Sequence, residues 1–102
     1  MEQQRKQLTY YTIRDAVDLW YYNQAKANDK YGNISQWDTS AVTNMSELFC
    51  VDDIEDDDDA KRYFNDDISQ WNVGNVTNMR CMFGNASAFN QPIEQWNVGN
   101  VT

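Results

Sequence analysis

The eight residues QWNVGNVT occur twice without a change, at residues 70–77 and 95–102. Chance does not explain a tryptophan-containing string repeated 25 positions apart, so the period constrains the fold before anything else does. Aligning the copies extends the match and adds a third. The units read ISQWDTSAVTNMSELF over residues 34–49, ISQWNVGNVTNMRCMF over 68–83, and IEQWNVGNVT over 93–102. The first two agree at nine of sixteen positions, and the apolar ones persist while the others drift: Ile34/Ile68/Ile93, Trp37/Trp71/Trp96, Val42/Val76/Val101, Met45/Met79 and Phe49/Phe83. A Phe-Asn pair at Phe64-Asn65 and Phe89-Asn90 keeps the same period. Only the first interval is longer, 34 residues from Ile34 to Ile68, and its surplus of nine coincides with an acidic run.

A fixed period in the twenties predicts a solenoid, each repeat a coil that buries its apolar side only by stacking on the next. Within a coil, FNQPIEQW reads as an extended piece and NVGN as a turn, because Asn bonds its own backbone and Gly accepts positive φ. The stretch NVTNMRCMF places Val76, Met79, Met82 and Phe83 at spacings of three and four, which predicts a short helix capped by Asn75 or Thr77. The expected fold class is therefore α/β, with a strand or extended run and a short helix in every coil.

Residues 1–30 lack the repeat. Ile13, Ala16, Val17 and Trp20 share one helical face, with Thr12 as expected N-cap and Asp15 completing a capping box. This predicts one amphipathic helix of about four turns that covers the open end of the first coil. The domain reading is a capping helix over 1–30, repeats over 31–102 and an acidic insertion over 50–60. The third copy stops at Thr102, before counterparts of Met79 and Phe83, which predicts a chain cut inside a repeat at the front of a longer array.

The residues that carry this pattern, I-S-x-W-[DN]-x-[SG]-x-V-T-N-M-x-x-[LM]-F followed by A-x-x-F-N-x-x-I at residues 86–93, resemble the BspA-like leucine-rich-repeat surface proteins. They are similar in particular to the mycoplasma-type surface-lipoprotein repeat of about 25 residues. The resemblance spans residues 31–102. It implies a leucine-rich-repeat-like solenoid, a role in surface interaction or adhesion, a cell-surface or secreted location, and no catalytic residues to carry over.

Charge narrows the partners. The net charge of −8 is local: seven of the sixteen acids are Asp52, Asp53, Glu55, Asp56, Asp57, Asp58 and Asp59, and setting them aside leaves one net negative charge. Eight scattered basic residues make no footprint for a phosphate backbone, so nucleic acid is not an expected partner. A mean hydropathy of −0.81 and no long apolar run exclude a transmembrane segment in the sequence, and MEQQRKQLTYYTI has no apolar stretch of signal-peptide length.

No cofactor is expected. Cys50 and Cys81 lack the spacing of a zinc site, and with no histidine present neither has a base to activate it. A disulfide between them requires proximity and an oxidising compartment. The seven acids are the candidate calcium ligands, although the run lacks the glycine and distant glutamate of a helix-loop-helix calcium loop, and a solvated loop is the bland alternative. The repeated tryptophans read as core anchors rather than a ligand ladder, and Asn44 and Asn78 as groups satisfying the backbone at a turn. The function expected is a non-catalytic module for protein–protein or cell-surface contact with a protein or glycan partner. A calcium-responsive or purely structural segment of an array is the alternative.

Overall fold

The computed structural model describes residues 7–51 and 60–102. Two helices lead, α1 (Tyr10–Tyr22) and α2 (Gln24–Tyr31), followed by short 3-10 turns at Ile34–Gln36 and Ala60–Tyr63. The single expected helix is thus two. Asn23 leaves helical geometry, with φ −155° and ψ 79°, and its side chain accepts from the Lys26 amide at 3.2 Å, so it ends α1 and caps α2. A short polar side chain of this kind offers the backbone an alternative to continuing the helix. The start also differs from expectation: α1 begins at Tyr10, and Thr12 acts from inside it, its hydroxyl accepting from the Thr9 amide at 2.7 Å.

The face read from the sequence is the one that packs. Ile13, Ala16, Val17 and Trp20 are buried in one core with Trp37, Val42 and the other repeated apolar residues. Trp20 meets Trp37 edge-on at 5.9 Å, and the Trp20 indole donates to Asp66 at 2.9 Å. Arg14 anchors the same helix by donating to the carbonyls of Asn44 and Ser46 at 3.3 and 2.9 Å. These contacts cover the first unit on one side.

The expected α/β, leucine-rich-repeat-like solenoid is corrected by the structure. Among the described residues there is no strand and no sheet, only two isolated parallel bridges, Gln7 with Asp38 and Asn44 with Asn78. Nor is there a helix in the second half of any repeat. Each unit is built from turns instead. One closes between Ile and Trp, with the amides of Trp37, Trp71 and Trp96 donating to Ile34, Ile68 and Ile93 at 3.4, 3.1 and 3.0 Å. A second closes before the repeated valine, where Val42, Val76 and Val101 donate to Thr39, Val73 and Val98, each at 3.0 Å.

Side chains explain why the helical spacing does not produce a helix. Asn44 and Asn78 accept from the amides two residues on, Ser46 and Arg80, at 2.9 Å each, which is the local bond that competes with a helical turn. Glu47 and Cys81 then take positive φ, 60° and 55°, at matching places in the two units. Asn75 and Thr77, the expected caps, bond the preceding unit: Asn75 Nδ2 to the Ser40 carbonyl at 2.7 Å and Thr77 Oγ1 to the Thr43 carbonyl at 3.3 Å.

What the period does produce is stacking of like on like. Trp37 and Trp71 are parallel within 18° at 6.1 Å, and four phenylalanines form a block. Phe49 lies over Phe64 at 4.4 Å and Phe83 over Phe89 at 4.4 Å, while Phe49–Phe83 at 5.6 Å and Phe64–Phe89 at 5.8 Å join the two layers. Pairs of this kind contribute about 0.5–1.5 kcal/mol beyond their buried area.

Candidate interaction site

The described residues leave one side of the second and third units uncovered. Met79, Met82 and Phe83, from the turn region of the second unit, and Ile93, Trp96 and Val98, from the third, surround an apolar recess of about 540 Å³, with Cys81, Gly84 and Glu94 completing its lining. Its composition follows from the repeat. In the first unit the counterparts Met45 and Phe49 are fully buried, whereas Met79 and Phe83 are only partly so. Val98, the counterpart of the buried Val73, is 49 % exposed. Concave, mostly apolar space of this size is the usual form of a binding site.

A row of backbone donors runs beside the recess. In the first unit the amides of Met45, Glu47, Phe49 and Val51 donate to the carbonyls of Asn78, Arg80, Met82 and Gly84 at 2.8, 2.9, 2.8 and 2.8 Å. The corresponding amides of the second unit are those of Met79, Cys81, Phe83 and Asn85, and none of them meets an acceptor among the described residues. Amides at alternate positions that meet no acceptor act as the exposed edge of a sheet does: they are a template for further carbonyls.

The structure sorts the residues singled out in the sequence. The repeated tryptophans are anchors: Trp37, Trp71 and Trp96 are 4, 3 and 9 % exposed, and their indoles donate to the carbonyls of Gly32, Ile34 and Ile68 at 2.8, 2.7 and 3.2 Å. Cys50 and Cys81 form no disulfide, and Cys81 is exposed at the rim of the recess. The candidate calcium ligands Asp52, Asp53, Glu55, Asp56, Asp57, Asp58 and Asp59 lie outside the described residues. Among the described residues no group of three or more acidic, cysteine or histidine side chains could hold a metal ion. No helix among them is long and apolar enough to cross a membrane.

Asp67 is held below its ordinary value by the hydroxyl of Ser69 at 2.6 Å and then by the Ser69 amide at 2.9 Å. That carboxylate orders a turn and lies apart from the recess.

Sequence reading missed the recess itself. Val98 reads as part of the NVGN turn, and the amide row is invisible to residue type.

A family model described as "Mycoplasma protein of unknown function, DUF285" matches residues 13–102. The chain belongs to the DUF285 family. The match takes in most of α1, all three units and hence every residue of the recess in this DUF285 chain. No curated protein and no solved structure matches it.

Proposed function

We propose that this DUF285 chain is a non-catalytic module for protein–protein contact, working in the surface setting that its resemblance to BspA-like proteins implies. One observation carries the reading: the apolar recess around Phe83 and Val98 is flanked by four backbone amides that meet no acceptor among the described residues, so a polypeptide, be it a further repeat or a partner, gains both main-chain bonds and apolar burial there. A glycan offers hydroxyls to the amides but little that favours burial against Met79, Phe83 and Ile93.

The test uses the intact chain, fluorescently labelled, on cultured cells before and after mild surface proteolysis or enzymatic removal of glycans. Binding is expected to saturate, to survive glycan removal, and to fall at least tenfold after proteolysis or in Val98→Asp. Val98 is half exposed, so the carboxylate enters the recess without disturbing the core. Equal binding by the parent and Val98→Asp overturns the reading, as does loss on glycan removal alone.

A further inference from the structure

The first two units meet at a pair of stacked turns whose corners carry both cysteines. In the first unit the Cys50 amide donates to the Glu47 carbonyl at 3.1 Å, and in the second the Gly84 amide donates to the Cys81 carbonyl at 3.1 Å. Bonds between the units fix the register of one turn on the other: the Glu47, Phe49 and Val51 amides donate to the Arg80, Met82 and Gly84 carbonyls at 2.9, 2.8 and 2.8 Å. This register aligns Cys81 with Glu47 and Cys50 with Gly84, which sets the two cysteines at diagonal corners.

Glycine is what opens the diagonal. A Cβ at Gly84 would stand 3.0 Å from Cys50 Sγ and 3.7 Å from Cys81 Cβ, so the sulfur of one cysteine and the Cβ of the other both border the space that glycine leaves, no more than about 7 Å apart. Rotamer changes at the two side chains, with a small shift of the turns, close the remaining gap to a sulfur–sulfur bond of about 2 Å. Cys81 is exposed, and the exposure belongs to its position in the repeat: Glu47, the counterpart with the second unit stacked on it, is exposed as well. By the same geometry, a further repeat stacked on the second unit leaves this thiol within reach of solvent.

We infer that Cys50 and Cys81 are a redox pair, closing to a disulfide that staples the first unit to the second and opening to the two thiols seen in the structure. The oxidant is a small-molecule disulfide. Cys81, as thiolate, attacks one of its sulfurs; the sulfur–sulfur bond breaks, one small thiolate leaves with the electron pair and takes up a proton, and a mixed disulfide remains on Cys81. Cys50 gives its proton to solvent, attacks the Cys81 sulfur and expels the second small thiolate, which is protonated in turn. Two protein thiols are thereby oxidised by two electrons, and one small disulfide is reduced to two thiols. The staple closes residues 50–81 into a loop, which restricts the unfolded chain more than the folded one, so the folded state favours the disulfide in return.

The test uses the full chain, reduced, at micromolar concentration with excess oxidised glutathione at neutral to mildly alkaline pH, quenched with an alkylating agent and read by intact mass and unreduced peptide mapping. A monomer two hydrogens lighter than the dithiol is expected, with Cys50 linked to Cys81. It should form through a glutathione adduct on Cys81 that Cys50→Ser traps, and dithiothreitol should restore the dithiol. Titration against the glutathione couple should give an effective concentration at least tenfold higher for the folded chain than for the chain in urea. An equal effective concentration overturns the inference, because the fold then brings the thiols no closer than a flexible chain does. So does a glutathione adduct that persists on the parent chain, or a dimer linked through Cys81 in place of the intramolecular bond.

Discussion

The indole of Trp71 donates to the carbonyl of Ile34 at 2.7 Å across 37 positions of sequence, and both residues are buried. The bond ties the second unit to the first at its centre. Buried polar groups that lose a partner cost more than the bond itself contributes, about 1–3 kcal/mol. Trp71→Phe keeps an aromatic ring against Trp37 and Phe49 but leaves Ile34 with only its turn bond, from the Trp37 amide at 3.4 Å. Urea denaturation should show a loss of about 1–3 kcal/mol for Trp71→Phe. A change within about 0.5 kcal/mol, the range of ordinary surface substitutions, contradicts the anchoring role.

Cys81 offers the opposite sign. It is exposed, holds φ at 55°, and stands where the first unit has Glu47 at 60°. Left-handed geometry costs a residue with a Cβ roughly 1–2 kcal/mol, a penalty glycine escapes, although glycine gives some of this back through its freer unfolded chain. Cys81→Gly should raise stability by up to about 1 kcal/mol in thermal or urea melts. A clear loss means that the thiol contributes packing the structure does not show.

How much of this was legible in the sequence depends on which residues are asked. The apolar positions of the repeat marked the core correctly, because burial selects residue type: Ile34, Ile68, Trp37, Trp71, Val42 and Val76 are all buried. The face of α1 was equally plain. Secondary structure inside the units was not. Val76, Met79, Met82 and Phe83 have helical spacing, yet Asn78 binds the Arg80 amide and Cys81 turns left-handed, so the same apolar side chains reach the core from turns. Periodicity reports which residues go inward, and a two-turn helix and a pair of turns give similar answers over eight residues. The recess was hidden for a different reason. Its donors are backbone amides, whose pairing depends on the neighbouring unit and not on the side chain that labels the position.

Asp67 gives the account a pH dependence. Its carboxylate accepts from the Ser69 hydroxyl and amide, which lowers its pKa in the folded state relative to the unfolded chain. A depressed carboxylate stabilises the fold at pH values above its unfolded pKa, near 3.9, and that contribution disappears as pH falls through the lower folded value. The difference in stability between the parent and Asp67→Ala should therefore be constant from pH 5 to 7 and shrink below about pH 4. An unchanged difference at pH 3 would show that the charge on Asp67 plays no part in the turn.

The central claim is that the units of residues 7–102 are joined by one directional ladder, in which the first unit's amides are bonded and the second unit's meet no acceptor among the described residues. Native-state hydrogen exchange by NMR reads both rows at once, since amides bonded between units exchange only when the stack opens. At neutral pH the amides of Met45, Glu47, Phe49 and Val51 should be strongly protected, and those of Met79, Cys81, Phe83 and Asn85 should exchange at least a hundredfold faster. Equal protection of the two rows contradicts the account.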